Sequence, residues 1–110
     1  MADLEKQFDE AMMNVYRTEK EECGYNATDF LQMLYRDRGL ITAKRLLVVD
    51  KHHTGFEKLA EHGRLDITVE CVVLNPKFRG LFDDEELERA RQRLRKYDFD
   101  PAQCETASDA

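Results

Sequence analysis

Glu70 is the acidic residue most favourably placed for chemistry, because it interrupts the most apolar run of the chain, residues 67–74. Burial would raise the pKa of its carboxyl group and could make it a general acid. A catalytic carboxylate also needs a second reacting group and a pocket, and the sequence indicates neither. Pairing with Arg64 or with an arginine of the last helix is simpler. We therefore expect Arg64, Asp66 and Glu70 to be structural polar residues.

The histidines and cysteines lack the spacing of a metal site or a nucleophile. The histidines are His52, His53 and His62, and no second carboxylate or cysteine stands at ligand spacing from them. The cysteines are Cys23, Cys71 and Cys104, an odd number without a C-x-x-C pair, which predicts no disulfide framework. We expect Cys71 to be a small core residue. The sequence thus predicts no catalytic, cofactor-binding or metal-binding residue, and no enzyme activity.

Basic residues in the middle of the chain are the candidate contacts to nucleic acid or to a partner. They are Arg36, Arg38, Lys44, Arg45 and Lys51. On one surface they would form a phosphate-binding stripe, and a helix starting after Gly39 suggests a helix-turn-helix. Asp37 and Asp50 interrupt the stripe, so a solvated charged face is the alternative.

A second candidate contact is the apolar face of the first helix, predicted over residues 3–22. Leu4, Phe8, Met12 and Val15 recur at helical spacing. This face could dock a partner helix or a second copy of the chain. Packing onto the other helices of the same chain is equally consistent with the pattern.

Length and composition predict a single all-α domain of five or six short helices around a central apolar segment, Ile67 to Leu74. The chain has 110 residues with 5 Gly and 2 Pro, too few for a fold of many short strands. Residues 65–74 alternate like a strand, but a helix is favoured because a two-stranded ribbon is marginal. Nothing approaches the length of a membrane span, and a reducing, cytoplasmic location is expected.

The remaining elements follow from caps and apolar spacing. Asn26 is expected to cap a second helix with Leu34 and Tyr35 on its apolar face, and a third helix should run over residues 41–49 with Ile41 inward. Capping boxes are predicted at Thr54 and Asp83. The domain should span residues 1–99, with a leading helix over 1–23 and a disordered tail over 100–110. Net charge is −5 over residues 1–30, +3 over 31–82 and −4 over 83–110.

One block resembles an uncharacterised bacterial helical module. The residues that carry the likeness are Gly63-Arg64-Leu65-Asp66, Thr68-Val69-Glu70, Val73-Leu74, Pro76, Phe78, Leu81-Phe82, Glu86 and Ala90-Arg91-Arg93-Leu94. The resemblance covers residues 24–99. Such modules are found in small proteins and beside HNH-type or restriction-associated domains, which implies a helical fold and a context of nucleic-acid processing.

These observations together favour a non-catalytic protein-interaction module of the bacterial cytoplasm, acting on a protein partner or on a second copy of itself. A nucleic-acid-binding accessory module of a DNA-processing or restriction-type system is the alternative. No cofactor, small-molecule substrate or membrane partner is expected.

Overall fold

The computed structural model describes residues 2–48 and 54–106, and every regular element within these ranges is helical. The helices are α1 (Ala2–Cys23), α2 (Thr28–Val48), α3 (Thr54–Glu61), α4 (Val69–Leu74), α5 (Asp84–Lys96) and α6 (Ala102–Glu105), with 3-10 turns at Leu65–Ile67 and Arg79–Leu81. The predicted all-α fold class is confirmed. In the described ranges, no helix is long and apolar enough to cross a membrane.

The central segment is helical, as predicted, and α4 is its core. The Thr68 hydroxyl caps α4 by accepting a hydrogen bond from the Cys71 N–H at 3.2 Å. Asp66 lies in the preceding 3-10 turn and contacts Arg64. Helices α1, α2, α5 and α6 all contact α4, so its side chains are buried in several directions. Because other helices surround α4, its sequence has no continuous polar face.

The apolar face of α1 is part of the protein core, so its prediction as a partner-binding face is wrong. Phe8, Met12 and Val15 are fully buried, and Leu4 is half-buried against the same core. The Phe8 ring packs edge-on against Phe78, with ring centroids 5.2 Å apart. The other helices of the chain therefore cover the face that could have received a partner.

Helix α2 contains the two separate helices predicted from the sequence, joined at a sharp break. Arg38 has φ 70° and ψ 172°, which no α-helix accommodates. Asp9 of α1 fills the break: one carboxylate oxygen accepts from the Gly39 N–H at 2.6 Å, and the other accepts from the Arg38 guanidinium. The second half of α2 thus receives its N-terminal cap from a neighbouring helix.

The expected cap at Asn26 is wrong. Helix α2 starts at Thr28, and the Asn26 side-chain oxygen accepts a hydrogen bond from the Tyr16 hydroxyl at 2.7 Å. The loop before α2 is thereby fixed to α1. The side chain of Thr54, the other predicted cap near the middle of the chain, lies outside the described part.

Gly39 allows α2 to approach α1, and we expect Gly39→Ala to destabilise the fold by about 1–3 kcal/mol. An added Cβ would lie 2.8 Å from Asp9 Oδ1 and 3.2 Å from the Asp9 Cα, so helix backbone would have to move. Gly80→Ala is the matched control, since a Cβ there meets nothing within 4 Å. Urea denaturation of both variants measures the difference. Equal midpoints would contradict the close-approach argument.

The capping box predicted at Asp83 is confirmed. The Glu86 N–H donates to Asp83 Oδ1 at 2.8 Å, and the Asp83 N–H donates to Glu86 Oε1 at 2.9 Å. At the other end of α5, the Tyr97 ring packs edge-on against Phe56 of α3, with centroids 5.1 Å apart. The start of α5 is therefore fixed by its own capping box, and its end is fixed by a ring contact with α3.

The predicted disordered tail is wrong for residues 100–106, which form α6 and its flanks. Cys104 is buried and is joined to Cys71 of α4 by a disulfide, with Cα atoms 5.2 Å apart. Glu105 adds an ion pair to Arg91 of α5 at 2.7 Å. The expectation of unpaired cysteines is also wrong, because their separation of 33 residues gives no local signal. Residues 107–110 lie outside the described ranges.

Candidate functional site

The predicted basic contacts that the structure describes all lie on α2, and each contacts a carboxylate. Arg36 and Arg45 share Asp37, at 2.9 and 3.0 Å, and Arg38 contacts Asp9 at 2.6 Å. These arginines therefore form ion pairs, and they do not form a basic stripe free of acidic residues. Lys51, the fifth predicted contact, lies outside the described residues.

The arginines of α2 face solvent while their carboxylates lie beneath them. The side chains of Arg36, Arg38 and Arg45 are mostly exposed, whereas those of Asp9 and Asp37 are mostly covered. The hydrogen bond from Arg36 holds the pKa of Asp37 below its ordinary value, and the charges of Arg36 and Arg45 act in the same direction. Because two arginines share Asp37, this part of α2 presents a net positive charge.

Lys44 has a different role from the three arginines. Its Nζ lies 2.9 Å from Glu86 of α5 and 5.1 Å from the centroid of the Phe82 ring. A cation held over an aromatic face and beside a carboxylate joins α2 to the start of α5. Lys44 is therefore a packing contact, and its sequence-based grouping with the solvent-facing arginines is not reproduced.

Three large apolar side chains of α2 are exposed, including Tyr35 and Ile41, which the sequence pattern predicts to face inward. The exposed fractions are 73% for Tyr35, 50% for Ile41 and 64% for Val48. Ile41 and Val48 are seven residues apart with Arg45 between them at four, so these residues share one face of the helix. The sequence does not indicate which face of α2 is exposed, because apolar residues of α2 occur on all of its faces.

A mostly apolar cleft of about 350 Å³ lies beside Tyr35 at the break in α2. It is lined by Asp9, Met13, Leu34, Tyr35, Arg38 and Gly39. The cleft lies at the break itself, and Ile41, Arg45 and Val48 lie on the part of α2 that follows it. We define the α2 surface as Tyr35, Arg36, Arg38, Ile41, Arg45 and Val48. This surface combines apolar side chains with solvent-facing guanidinium groups.

Glu70 has the structural role expected from the sequence, with an arginine of the last long helix as its partner. It is fully buried, and its Oε2 accepts a hydrogen bond from Arg93 Nη1 at 2.9 Å. Arg93 also donates to the Leu47 carbonyl at 3.3 Å, at the C-terminal end of α2. A guanidinium at that end complements the partial negative charge of the helix terminus.

Glu19 is the buried acidic residue that sequence reasoning missed. It is fully buried on α1, and burial raises the pKa of its carboxyl group to about 7, with the nearby charge of Glu70 contributing second. A Cβ added to Gly55 at the start of α3 would overlap the Glu19 carboxylate. The missed signal was spacing, because Glu19 follows Phe8, Met12 and Val15 at the next position of the buried stripe.

Arg64 and Asp66 form an ion pair with each other, and Arg93 instead of Arg64 is the partner of Glu70. Arg64 contacts Glu22 at the end of α1 and Asp66 at 3.1 Å, so it ties α1 to the turn before α4. Hydrogen bonds to these acids raise the pKa of Arg64 above its ordinary value. These three side chains are partly exposed, and their geometry is that of a surface ion-pair cluster.

The remaining titratable candidates form no metal or nucleophile site in the described ranges. No group of three or more His, Cys, Asp or Glu residues there could hold a metal ion. His62 is exposed, with Nδ1 2.9 Å from the Lys58 carbonyl, while His52 and His53 lie outside the described part. Desolvation raises the pKa of the Cys23 thiol, the reverse of what activates a cysteine nucleophile.

No family model, curated protein or solved structure matches this chain. The resemblance to a bacterial helical module therefore stays a prediction, and function is argued from geometry.

Proposed function

We propose that the protein is a non-catalytic protein-interaction module that binds through the α2 surface. The observation that carries the proposal is the exposure of Tyr35, Ile41 and Val48 on one helix whose other apolar residues are buried or half-buried. Exposure of these apolar side chains to water is unfavourable. Burying them against an apolar surface of a partner would release the contacting water and lower the free energy. A role in binding a partner would explain why these apolar side chains lie outside the core.

The chemistry of the α2 surface fits an acidic amphipathic segment of a partner protein. Tyrosine and arginine are enriched at the centres of protein interfaces, and both are present here. The apolar residues of the partner would cover Ile41 and Val48, and its carboxylates would meet the exposed guanidinium groups. The partner is another protein or a second copy of this chain, whose residues 1–30 carry a net charge of −5.

The bacterial cytoplasm is the proposed location, and it rests on the family resemblance. The Cys71–Cys104 disulfide is an observation that opposes it, because such bonds persist mainly in oxidising compartments. Burial of both sulfur atoms shields the bond from reductants.

Ile41→Glu combined with Val48→Glu should weaken partner binding at least tenfold, because two apolar contacts are replaced by charges that oppose burial. The matched control is Gln7→Glu with Gln92→Glu, which adds the same charge at exposed positions of α1 and α5. Sedimentation equilibrium measures self-association, and quantitative affinity enrichment measures binding of a second protein. The proposal expects association in wild type and control and its loss in the α2 variant.

Association that is equal in all three proteins, or absent in all three, would contradict the proposal. Titration of the wild type with labelled duplex DNA at low and physiological salt addresses the alternative. The exposed guanidinium groups of Arg36, Arg38 and Arg45 favour that alternative, although each already contacts a carboxylate. DNA binding that weakens steeply with salt and is lost in Arg36→Glu with Arg45→Glu would support the nucleic-acid module.

A further inference from the structure

Three side chains from three helices, two carboxylates and one guanidinium, form a buried polar cluster in the described part of the chain. Glu19 of α1 and Glu70 of α4 are fully buried, and Arg93 of α5 bonds Glu70. Both Glu19 oxygens and Glu70 Oε1 are buried with no hydrogen-bond partner among the described residues. Counted over the described residues, two ionised carboxylates beside one guanidinium would leave one negative charge without a compensating cation.

A proton on Glu19 removes this imbalance with the fewest changes. A buried carboxylate without hydrogen bonds is strongly unfavourable, whereas a neutral carboxylic acid gains an O–H donor and loses its charge. The Arg93 guanidinium lies 2.9 Å from Glu70 and compensates the charge of that carboxylate. Glu19 has no such partner within the described ranges, and the contact with Gly55 leaves little room for hydration.

The neighbours of Glu19 support the same assignment. In the described part of the chain, α4 contributes Glu70, α5 contributes Arg93 through its bond to Glu70, and α1 contributes Cys23, one turn along. Helix α3 contributes Gly55, and none of its N–H groups bonds the Glu19 oxygens. The negative charge of Glu70 disfavours a second carboxylate, so the nearest ionised group also favours the proton on Glu19.

We propose that Glu19 is protonated in the folded protein at mildly acidic pH, and that its ionisation around neutral pH loosens the packing of α1 against α3 and α4. The cluster is then a pH-sensitive switch in the core, independent of the α2 surface. An ionised Glu19 would have to draw in water or move away from Glu70. Either response displaces Gly55 and the start of α3, which touch the carboxyl group.

Glutamine at position 19 mimics the protonated form and provides the test. With a pKa near 4.5 unfolded and about 7 folded, Glu19 holds a proton in the folded state that the unfolded chain has released. Folded wild type therefore loses stability as pH rises from 4.5 to 7, by up to roughly 300-fold in the unfolding equilibrium constant relative to Glu19→Gln. Above that window the difference should stay constant. Glu21→Gln, exposed on the same helix, should follow the wild type.

A direct titration keeps the proposal falsifiable if Glu19→Gln does not fold. The carbon-13 chemical shift of the Glu19 side-chain carboxyl group should titrate near pH 7, accompanied by amide shift changes in α1 and α3. A titration near pH 4.5 would overturn the proposal. So would a Glu19→Gln protein whose stability differs from wild type by the same amount at every pH.

Discussion

Replacing Arg93 with methionine is expected to destabilise the protein by about 3–5 kcal/mol. Methionine fills much of the same volume but leaves the buried Glu70 carboxylate without its guanidinium partner at 2.9 Å. It also removes the donor to the Leu47 carbonyl at the end of α2. Urea denaturation at pH 7 measures the loss as a shift of the midpoint at constant slope.

Two further variants separate lost pairing from lost packing. Arg93→Met combined with Glu70→Gln should recover most of the stability, because no unpaired charge then remains in the core. Arg95→Met is the matched control: Arg95 is exposed, its contact with Glu88 is 3.4 Å long, and we expect a change below about 1 kcal/mol. An Arg93→Met protein as stable as the Arg95 control would refute the role assigned to the buried pair.

Removing the disulfide is expected to cost about 4 kcal/mol, the chain-entropy value for a closed loop of this length. The bond joins Cys71 to Cys104 across 33 residues, and both residues are buried. Cys71→Ser with Cys104→Ser should lower the melting temperature. It should also remove hydrogen-exchange protection from α6 first, because α6 has only four residues and its other strong tie is the Arg91–Glu105 pair.

Cys23→Ser is the control for this experiment, since Cys23 is the free thiol and is only half-buried. Dithiothreitol, given time to reduce the bond, should lower the melting temperature of wild type and Cys23→Ser but leave the double variant unchanged. Wild-type protein that contains both thiols in free form, or a double variant that melts with wild type, would contradict the role of the bond.

The parts of the fold that the sequence predicts are those set by local chemistry. The capping box at Asp83 depends on residues three positions apart, and the helical character of residues 65–74 on the lack of a strand partner. The sequence also predicts the apolar stripe of α1. It does not indicate whether that stripe packs against the same chain or against a partner. Helical periodicity identifies the apolar face, and only the packing of distant helices decides what covers it.

The parts that the sequence does not predict depend on distant contacts. The cap of Gly39 comes from Asp9, thirty positions earlier, and no local rule selects it. The spacing of the cysteines likewise does not predict that Cys71 pairs with Cys104. Glu19 looked like one more solvated acid in a charged helix, and its position in the buried stripe of α1 was the available clue.

The central position of α4 has a consequence for how the chain can be divided. Helices from both sides in sequence, α1 and α2 before it and α5 and α6 after it, contact these six residues. A fragment that ends before α5 would lose two of the helices that contact α4, and a fragment that begins after α2 would lose the other two. We therefore expect folding to need nearly the whole described chain and unfolding to be a single cooperative transition.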